Sequence, residues 1–208
     1  MRVKYHDNPL LPLNSGRMNQ VASTGTFYHI YNRGNNCENI FIQERNYAYF
    51  MDLWWKHTSQ IAETWAYCLL RNHFHTVVFI KNKEDLTGFT NKIKEPGQYF
   101  SNFFNAYARG VNIAAQRTGA LFERPFNRIP VDNESYLIRL IVYIHQNPQK
   151  HKFENDFCEW NYSSYHELTA NVPTRLQRDK MMQLFGSRED FFRIHQEIQP
   201  LAGFEDED

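Results

Sequence analysis

The segment Arg71-Asn72-His73-Phe74-His75-Thr76-Val77-Val78 decides how the rest of the chain is interpreted. It joins two apolar runs of strand length, 65–70 and 76–80, and two such runs with a short break between them predict a β-hairpin. Side chains two positions apart on a strand share a face and stand roughly 6 to 7 Å apart, so His73 and His75 could reach one metal ion. Two histidines on the polar face of a half-buried strand explain the same pattern without a metal, and both interpretations stay open at this point.

Length and composition indicate one domain of ordinary size with extensions. The chain has 208 residues, a mass of 24.9 kDa, 16% aromatic residues and a mean hydropathy of -0.65. No apolar run approaches the roughly 20 residues of a membrane helix, and residues 1–19 lack the apolar core of a signal peptide, so we expect a cytoplasmic protein without a membrane span. Three cysteines, Cys37, Cys68 and Cys158, have no Cys-x-x-Cys spacing, which favours reduced thiols and excludes a cysteine zinc knuckle.

The net charge does not by itself indicate a nucleic-acid-binding protein. The chain has 23 basic and 23 acidic side chains and a formal net charge of zero, so only the distribution of charge is informative. Residues 81–128 contain eight basic and four acidic side chains, whereas 205–208 are all acidic. A solvated surface of mixed charge explains this local excess of positive charge as well as a bound polyanion does.

The predicted elements follow the order strand, helix, strand, strand, helix, strand, helix. Residues 26–31 are rich in β-branched and aromatic side chains and predict the first strand. Residues 44–60 have the apolar spacing of an amphipathic helix. Residues 86–108 predict helical structure interrupted at Pro96-Gly97, as two helices or one kinked helix. This order is typical of an α+β sandwich of ferredoxin-like type, in which helices pack against an antiparallel sheet.

The segment after residue 108 predicts the last strand and the helix that follows it. Residues 109–119 are polar and predict a loop, and two prolines in 120–131 predict an extended segment at the edge of the sheet. Asp132 is the predicted N-cap of the next helix. We expect that helix to end near Asn147, because Pro148 disfavours helical geometry in the residue before it.

The chain divides into three predicted regions. Residues 1–24 combine prolines and polar residues with few apolar ones and predict a flexible arm. Residues 25–166 contain all the elements described above. Residues 167–208 predict a helical extension with an acidic tail, its helices at 176–185 and 189–198.

Tyr143 and Asn147 form a candidate site on the helix after the last strand. They are four residues apart and lie off the apolar stripe of that helix, so they share one surface. A tyrosine phenol ordinarily has a pKa of about 10 and is a poor nucleophile at neutral pH without a cation or a base. A metal held by the two histidines and the Asn147 carboxamide could polarise a phosphate beside the phenol. A packing tyrosine and an ordinary helix-end asparagine remain the alternative.

Together these segments resemble a known family of DNA-processing enzymes. His73-Phe74-His75 after 69–72, with Tyr143-Ile144-His145-Gln146-Asn147-Pro148 about 70 residues further on, is similar to the single-tyrosine HUH transposases of the insertion sequence 200/605 type, above all to their REP-associated branch. Further segments match in family order between about residues 26 and 166: 28–35, 40–41, 119–126 and 160–165.

The resemblance implies a catalytic set and a reaction. His73, His75 and Asn147 would hold Mg²⁺ or Mn²⁺, and Tyr143 would be the catalytic nucleophile. In such proteins the tyrosine attacks a phosphate of single-stranded DNA, becomes joined to the 5'-phosphate and leaves a free 3'-hydroxyl. The implied substrate is a DNA hairpin beside a short guide sequence. His145 is interpreted as a supporting residue, because two positions along a helix point away from Tyr143.

The residues that would contact DNA are less specific. The chain departs from the family pattern at Arg71, where many relatives have proline, and at 123–126, where the loop usually reads Gln-Gly-Arg-Phe or similar. Arg71 could add a phosphate contact. The predicted DNA-binding residues are Arg33, Arg71, Asn72, Arg124 and Arg128. Two further arginines, Arg109 and Arg117, are candidates for holding the DNA backbone.

Two other functions are consistent with the same sequence. A domesticated module could bind DNA hairpins without cutting them and would need neither Tyr143 nor a metal. A His-x-His metallophosphoesterase would turn over small phosphoesters without a covalent intermediate. Relatives work as monomers or as homodimers, and the sequence leaves both open.

Overall fold

A computed structural model of the chain describes residues 22–86 and 95–198. Its centre is a four-stranded antiparallel sheet with the order β2-β3-β1-β4. The strands are β1 (Thr26–Arg33), β2 (Ala62–Leu69), β3 (His73–Ile80) and β4 (Asn127–Val131). The order of elements along the chain and of strands across the sheet is that of the ferredoxin-like fold, so the predicted fold class is confirmed.

Helices cover both faces of the sheet. The described residues form α1 (Arg45–Thr58), α2 (Pro96–Ala114), α3 (Glu134–Lys150), α4 (Ser164–Thr169), α5 (Arg178–Phe185) and α6 (Arg188–Glu197). Short 3-10 helices lie at Asn35–Cys37, Lys83–Leu86 and Phe157–Glu159. One hydrophobic cluster lies between the sheet and helices α1 and α2. A second lies on the other face of the sheet and includes residues of α3, α4, α5 and α6. The sheet is therefore the middle one of three layers. Helices on both of its faces bury almost every side chain of β3.

Strand register decides which side chains meet α3. His75 pairs with Tyr31 of β1 and with Cys68 of β2, and His73 pairs with Arg33. Directly paired residues share a face of the sheet. These side chains therefore lie on the face toward α3, whereas Phe74 between the two histidines packs on α1 from the opposite face.

The prediction of a helical stretch at 86–108 with an interruption at Pro96-Gly97 is tested in its second half. Helix α2 begins at Pro96 and the preceding Glu95 is not helical, so Pro96-Gly97 opens a helix and does not kink one. Proline is favoured in the first turn because a backbone N–H at that position has no partner within the helix, so proline loses no hydrogen bond there. Residues 87–94, the remainder of the predicted helical segment, lie outside the described residues.

The prediction of a loop at 109–119 was wrong for residues 109–114, which are helical. Helix α2 continues through Arg109 and Gly110 to Ala114. A Cβ atom at Gly110 would overlap the ring and hydroxyl of Tyr49 on α1. The glycine therefore allows two helices to approach closely, and it does not break α2.

Both predicted ends of α3 require correction. Asn133, not Asp132, is the N-cap, and its side chain accepts a hydrogen bond from the N–H of Tyr136. The helix runs past Asn147 to Lys150 with Pro148 inside it. Pro148 lies in the last turn and is buried, and its carbonyl accepts a hydrogen bond of 2.8 Å from the N–H of Phe153. Packing and these bonds at the helix end outweigh the local preference of the residue before proline.

The predicted edge position of the last strand is confirmed. Among the described residues, strand β4 pairs with β1 alone and is an edge strand, but it spans Asn127–Val131, a shorter segment than the predicted 120–131. The preceding residues are irregular, apart from a bridge between Phe122 and Gly34.

The C-terminal helices have nearly the predicted bounds and pack against α3 through the second hydrophobic cluster. Most of the predicted arm, residues 1–21, and the tail, 199–208, lie outside the described residues. Within 22–86 and 95–198, no helix combines the length and apolarity needed to cross a membrane.

Candidate active site

Four side chains from separate parts of the chain meet between the sheet and α3. His73 and His75 project from β3, with ring centroids 5.3 Å apart. The Nε2 atom of His73 lies 3.4 Å from Oδ1 of Asn147, and the His75 ring lies 5.7 Å from the Tyr143 ring. The structure thus brings together all four residues that the sequence analysis selected for the chemistry.

Helix α3 presents Tyr143 and Asn147 to the histidines from one turn apart. The sequence predicted that both lie off the apolar stripe and share one surface of the helix. Every side chain from Leu137 to Pro148 except Arg139 is buried, because the sheet and the C-terminal helices enclose α3 from different sides. Tyr143 is 1% exposed and Asn147 is 0% exposed.

Two further side chains contact the Nδ1 atoms of the strand histidines. Asn72 Oδ1 lies 2.8 Å from Nδ1 of His73, and His29 Nε2 lies 3.0 Å from Nδ1 of His75. His29 was not among the predicted site residues. Its position two residues before Tyr31 on β1 was the one indication in the sequence, because side chains two apart on a strand lie on the same face of the sheet.

Positive charge lies close to the phenol. The Nζ atom of Lys150 is 4.9 Å from the centroid of the Tyr143 ring, a distance at which a cation is attracted to the ring face. His151, the next residue, stacks edge to face on His73 with centroids 4.9 Å apart. Lys150 can therefore stabilise negative charge that develops on the phenol oxygen.

The donor set is compatible with a divalent ion, although it is small. Among the described residues, no group of three or more His, Cys, Asp or Glu side chains is arranged to hold a metal. Two imidazoles and one carboxamide remain. Adjacent ligands of an octahedral Mg²⁺ are roughly 3 Å apart, and the 3.4 Å between His73 Nε2 and Asn147 Oδ1 is close to that value.

The Asn147 amide adds a second argument for a functional site. Its Nδ2 atom is buried and has no hydrogen-bond partner within the part of the chain that the structure describes. A buried unsatisfied donor costs about 1 to 3 kcal/mol, so the side chain is not optimised for stability alone. The side chain is oriented with Oδ1 toward His73.

The predicted DNA-binding residues divide between the two faces of the sheet. Arg33 stands opposite His73 in the strand register, and its Nε atom lies 3.9 Å from Oε1 of Glu123. Arg71 is exposed in the connection between β2 and β3, and Asn72 bonds to His73. These three lie at the end of the sheet that carries the histidines.

Arg124 and Arg128 lie on the α2 side instead. Arg124 is exposed and lines a cleft of about 390 Å³ between α2 and the segment 121–126. The Arg128 guanidinium lies 5.6 Å from the Tyr28 ring centroid, beside Gly97 at the start of α2. Of the two additional arginines, Arg109 is exposed on α2, and Arg117 pairs with Glu38 and bonds to Asn112.

His145 points away from Tyr143, as its position on α3 predicted. Its Nδ1 atom lies 2.8 Å from Nε2 of His195, and its Nε2 atom lies 2.7 Å from Oγ of Ser164. Burial, together with the neighbouring His195 and His166, holds the pKa of His145 well below its usual value. Burial also lowers the pKa of His195 to about 4. Both rings are therefore neutral at pH 7 and belong to the core around α3 and α6.

Fold and site together define a ferredoxin-like protein in which a His-x-His strand faces a tyrosine on the helix after the last strand. Among solved structures, the chain is similar to that of a REP-associated tyrosine transposase bound to a REP hairpin. The two share 18% identity and a TM-score of 0.55, over 74% of this chain and 86% of the other. Likeness at this level of identity establishes the fold. No protein-family model and no curated protein sequence matches the chain.

Proposed function

We propose that this protein is a transposase-type endonuclease and strand transferase that recognises DNA hairpins and cleaves single-stranded DNA. Tyr143 is the nucleophile, and His73, His75 and Asn147 hold Mg²⁺ or Mn²⁺. The substrate is a DNA hairpin with adjoining single strand, and the protein works in the cytoplasm as a monomer or a homodimer. The REP hairpin bound to the similar transposase supports this substrate class.

One observation carries the proposal. The 3.4 Å contact from His73 to Asn147 joins residues 74 positions apart in the chain, and the His75 ring beside Tyr143 adds the nucleophile to the same cluster. A metal-assisted attack by a phenol needs a nucleophile beside side chains that can hold a cation, and this cluster supplies both. A packing tyrosine and a helix-end asparagine do not need two strand histidines beside them.

The chain's own residues perform the step by orientation and charge. The phenol oxygen of Tyr143 forms a bond to phosphorus, and the bond from phosphorus to the 3'-oxygen breaks. The phenol proton is lost and the 3'-oxygen gains one, which leaves a 5'-phosphotyrosine and a free 3'-hydroxyl. A divalent ion would supply charge stabilisation at the phosphate. Because the ester is conserved in the covalent link, a second 3'-hydroxyl can rejoin the strand without ATP.

DNA binding is assigned to both faces of the sheet. Arg33, Arg71 and Asn72 are close to the chemical residues and would orient the scissile strand. Arg124 and Arg128 lie on the α2 side and would contact the hairpin stem through its phosphates. This division makes the proposed binding surface wider than the active site.

A denaturing gel tests the proposal directly. The protein is mixed with Mn²⁺ or Mg²⁺ and labelled single-stranded hairpins from the DNA that flanks its gene. We expect a metal-dependent covalent adduct that is abolished by Tyr143→Phe. Tyr99→Phe, on the distant helix α2, is the matched control and should form the adduct normally.

A second candidate has one observation in its favour. Only 1% of the Tyr143 surface is exposed, so the phenol must become accessible before it can attack a phosphate. A protein that binds hairpins without cutting them needs no such opening. Hairpin binding without an adduct under either metal would select that candidate, whereas turnover of small phosphoesters that survives Tyr143→Phe would select a metallophosphoesterase.

A further inference from the structure

A histidine outside the proposed ligand set contacts one of its members. His29 Nε2 lies 3.0 Å from Nδ1 of His75, and the two rings are nearly parallel, with 23° between their planes. His29 is 2% exposed and His75 is 1% exposed. The inference below rests on the proposed function, because it concerns the residue that would present His75 to a metal.

The sheet fixes His29 in this position. Its partner in the register of β1 and β3 is Val77, two pairs along from the pairing of Tyr31 with His75. His29 and His75 are therefore diagonal neighbours on the same face. The Tyr31 ring stacks on His29 with centroids 4.7 Å apart, which restricts rotation of the imidazole. A ring held by backbone pairing and by stacking can define the orientation of its neighbour.

The contact couples the protonation sites of the two rings. A neutral imidazole carries one proton, on either Nδ1 or Nε2, and only the nitrogen without the proton can be a metal ligand. If His29 donates to Nδ1 of His75, the proton of His75 is on Nε2, which then cannot bind a metal. If His75 donates from Nδ1 to His29, Nε2 of His75 becomes the ligand nitrogen.

We propose that His29 is a positioning residue that accepts a hydrogen bond from Nδ1 of His75 and thereby makes Nε2 the nitrogen that binds the divalent ion. The other strand histidine has an equivalent arrangement. Asn72 Oδ1 is an acceptor 2.8 Å from Nδ1 of His73, and Nε2 of that ring faces Asn147. Each proposed histidine ligand therefore has an acceptor at Nδ1 from a residue that is not itself a ligand.

Such partners have measurable consequences. Hydrogen bonds to the far nitrogen of a ligand histidine fix its tautomer and orientation, and their loss typically costs about 10- to 100-fold in metal affinity. His29→Phe keeps a ring for Tyr31 to stack on but removes the acceptor. His29→Gln offers a carboxamide oxygen close to the position of Nε2 and should rescue the function.

Titration with Mn²⁺ tests the inference without any cleavage reaction. The Mn²⁺ affinity of the full-length parent protein, His29→Phe, His29→Gln and His75→Ala is measured by calorimetry or by loss of the free Mn²⁺ signal in electron paramagnetic resonance. We expect about 10- to 100-fold weaker binding for His29→Phe and affinity within a few fold of the parent for His29→Gln. Near-parent affinity for His29→Phe would overturn the inference while leaving the proposed function intact. Absence of Mn²⁺ binding by the parent would overturn both.

A measurement on the parent protein covers the case in which His29→Phe does not fold. Long-range ¹H–¹⁵N spectra distinguish the two imidazole tautomers of an assigned histidine. We expect the proton of His75 on Nδ1. A proton on Nε2 of His75 in the folded protein would mean that His29 is the donor, and the inference would be wrong whatever the variants do.

Discussion

Two buried pairs of histidines lie on different sides of α3, and they have different surroundings. His29 and His75 meet between the sheet and α3 at 3.0 Å, and His145 and His195 meet between α3 and α6 at 2.8 Å. The sequence marked His75 through its His-x-His spacing and placed His145 on the other side of its helix, but it paired neither ring with His29 or His195. Their neighbours distinguish them, because the first pair adjoins a phenol and a carboxamide and the second is enclosed by core side chains.

The second pair satisfies its hydrogen bonds within the protein. His145 contacts Ser164 through Nε2, and Nδ1 of His195 lies 2.7 Å from the carbonyl oxygen of Phe191. The Gln146 amide strengthens the same contact between helices, since Nε2 donates to the carbonyl oxygens of His195 and Ile198. The ring nitrogens of this pair all have partners, and such a network specifies packing, although the Gln146 amide leaves Oε1 without a partner among the described residues. The Asn147 amide likewise keeps an unsatisfied donor there, so the two pairs differ in the phenol and carboxamide that adjoin the first and not in hydrogen-bond satisfaction.

The largest expected effect separates the two pairs by activity. His75→Ala removes a proposed metal ligand and should slow cleavage of a hairpin substrate by about a thousandfold or more, equivalent to about 4 kcal/mol of barrier. His145→Ala leaves the proposed ligands in place and should retain a measurable cleavage rate per folded molecule. Single-turnover rates with Mn²⁺, corrected for the folded fraction, provide the comparison. Equal loss of activity in both variants would remove the distinction between a functional and a structural pair.

The next effect separates the pairs by stability. His195→Ala deletes a fully buried ring and leaves Nδ1 of His145 without its partner, so we expect a loss of about 3 kcal/mol in the free energy of unfolding. Urea denaturation followed by circular dichroism measures it. His166→Ala, at an exposed position on α4, should change stability by less than about 0.5 kcal/mol. A His195→Ala variant as stable as this control would contradict the structural assignment.

Acid should lower the stability of the folded protein through the second pair, His145 and His195. Burial lowers the pKa of His195 from 6.5 to about 4, so between these values the unfolded chain binds a proton that the folded protein does not bind. Stability is therefore undiminished above pH 6.5 and falls as the pH drops toward 4, by about 2 kcal/mol at pH 5 for His195. His145 changes stability in the same direction, because its pKa is also lowered.

Unfolding measured at pH 7.5 and at pH 5 tests this dependence. His195→Gln removes one of the two titrating rings and should reduce the difference between the two pH values. A parent protein with equal stability at both pH values would show that the buried rings do not titrate as their surroundings require.

Local patterns in the sequence predicted the elements whose side chains make regular contacts. The hairpin around His73 and the helices near 44–60, 176–185 and 189–198 follow from apolar periodicity. Errors arose where long-range packing overrides local preference. The polar segment 109–119 predicts a loop, but its first residues extend α2, where Gly110 packs against Tyr49. Pro148 predicts the end of a helix, but it is buried in the last turn of α3.

The candidate site, like the fold, was only partly predictable from local sequence patterns. Spacing along one strand and along one helix selects His73 with His75 and Tyr143 with Asn147, but no local pattern places the strand beside the helix. The resemblance to a known family made that connection. The position of His29 depends on the register of β1 against β3, and register between strands distant in sequence is not encoded in either segment alone.

The smallest expected effect concerns the cation beside the phenol. Lys150 Nζ lies 4.9 Å from the Tyr143 ring centroid, where it can favour the negative charge that a nucleophilic phenol acquires. Lys150→Met should lower the cleavage rate at saturating DNA by about three- to tenfold, which corresponds to roughly 1 kcal/mol. Lys152→Met removes the same charge from an exposed position two residues further on and should weaken DNA binding without changing that rate. Equal weakening of DNA binding in both variants, with no change in the cleavage rate, would show that Lys150 contributes only to DNA binding. Stabilisation of the negative charge on the phenol would then come from the proposed metal alone.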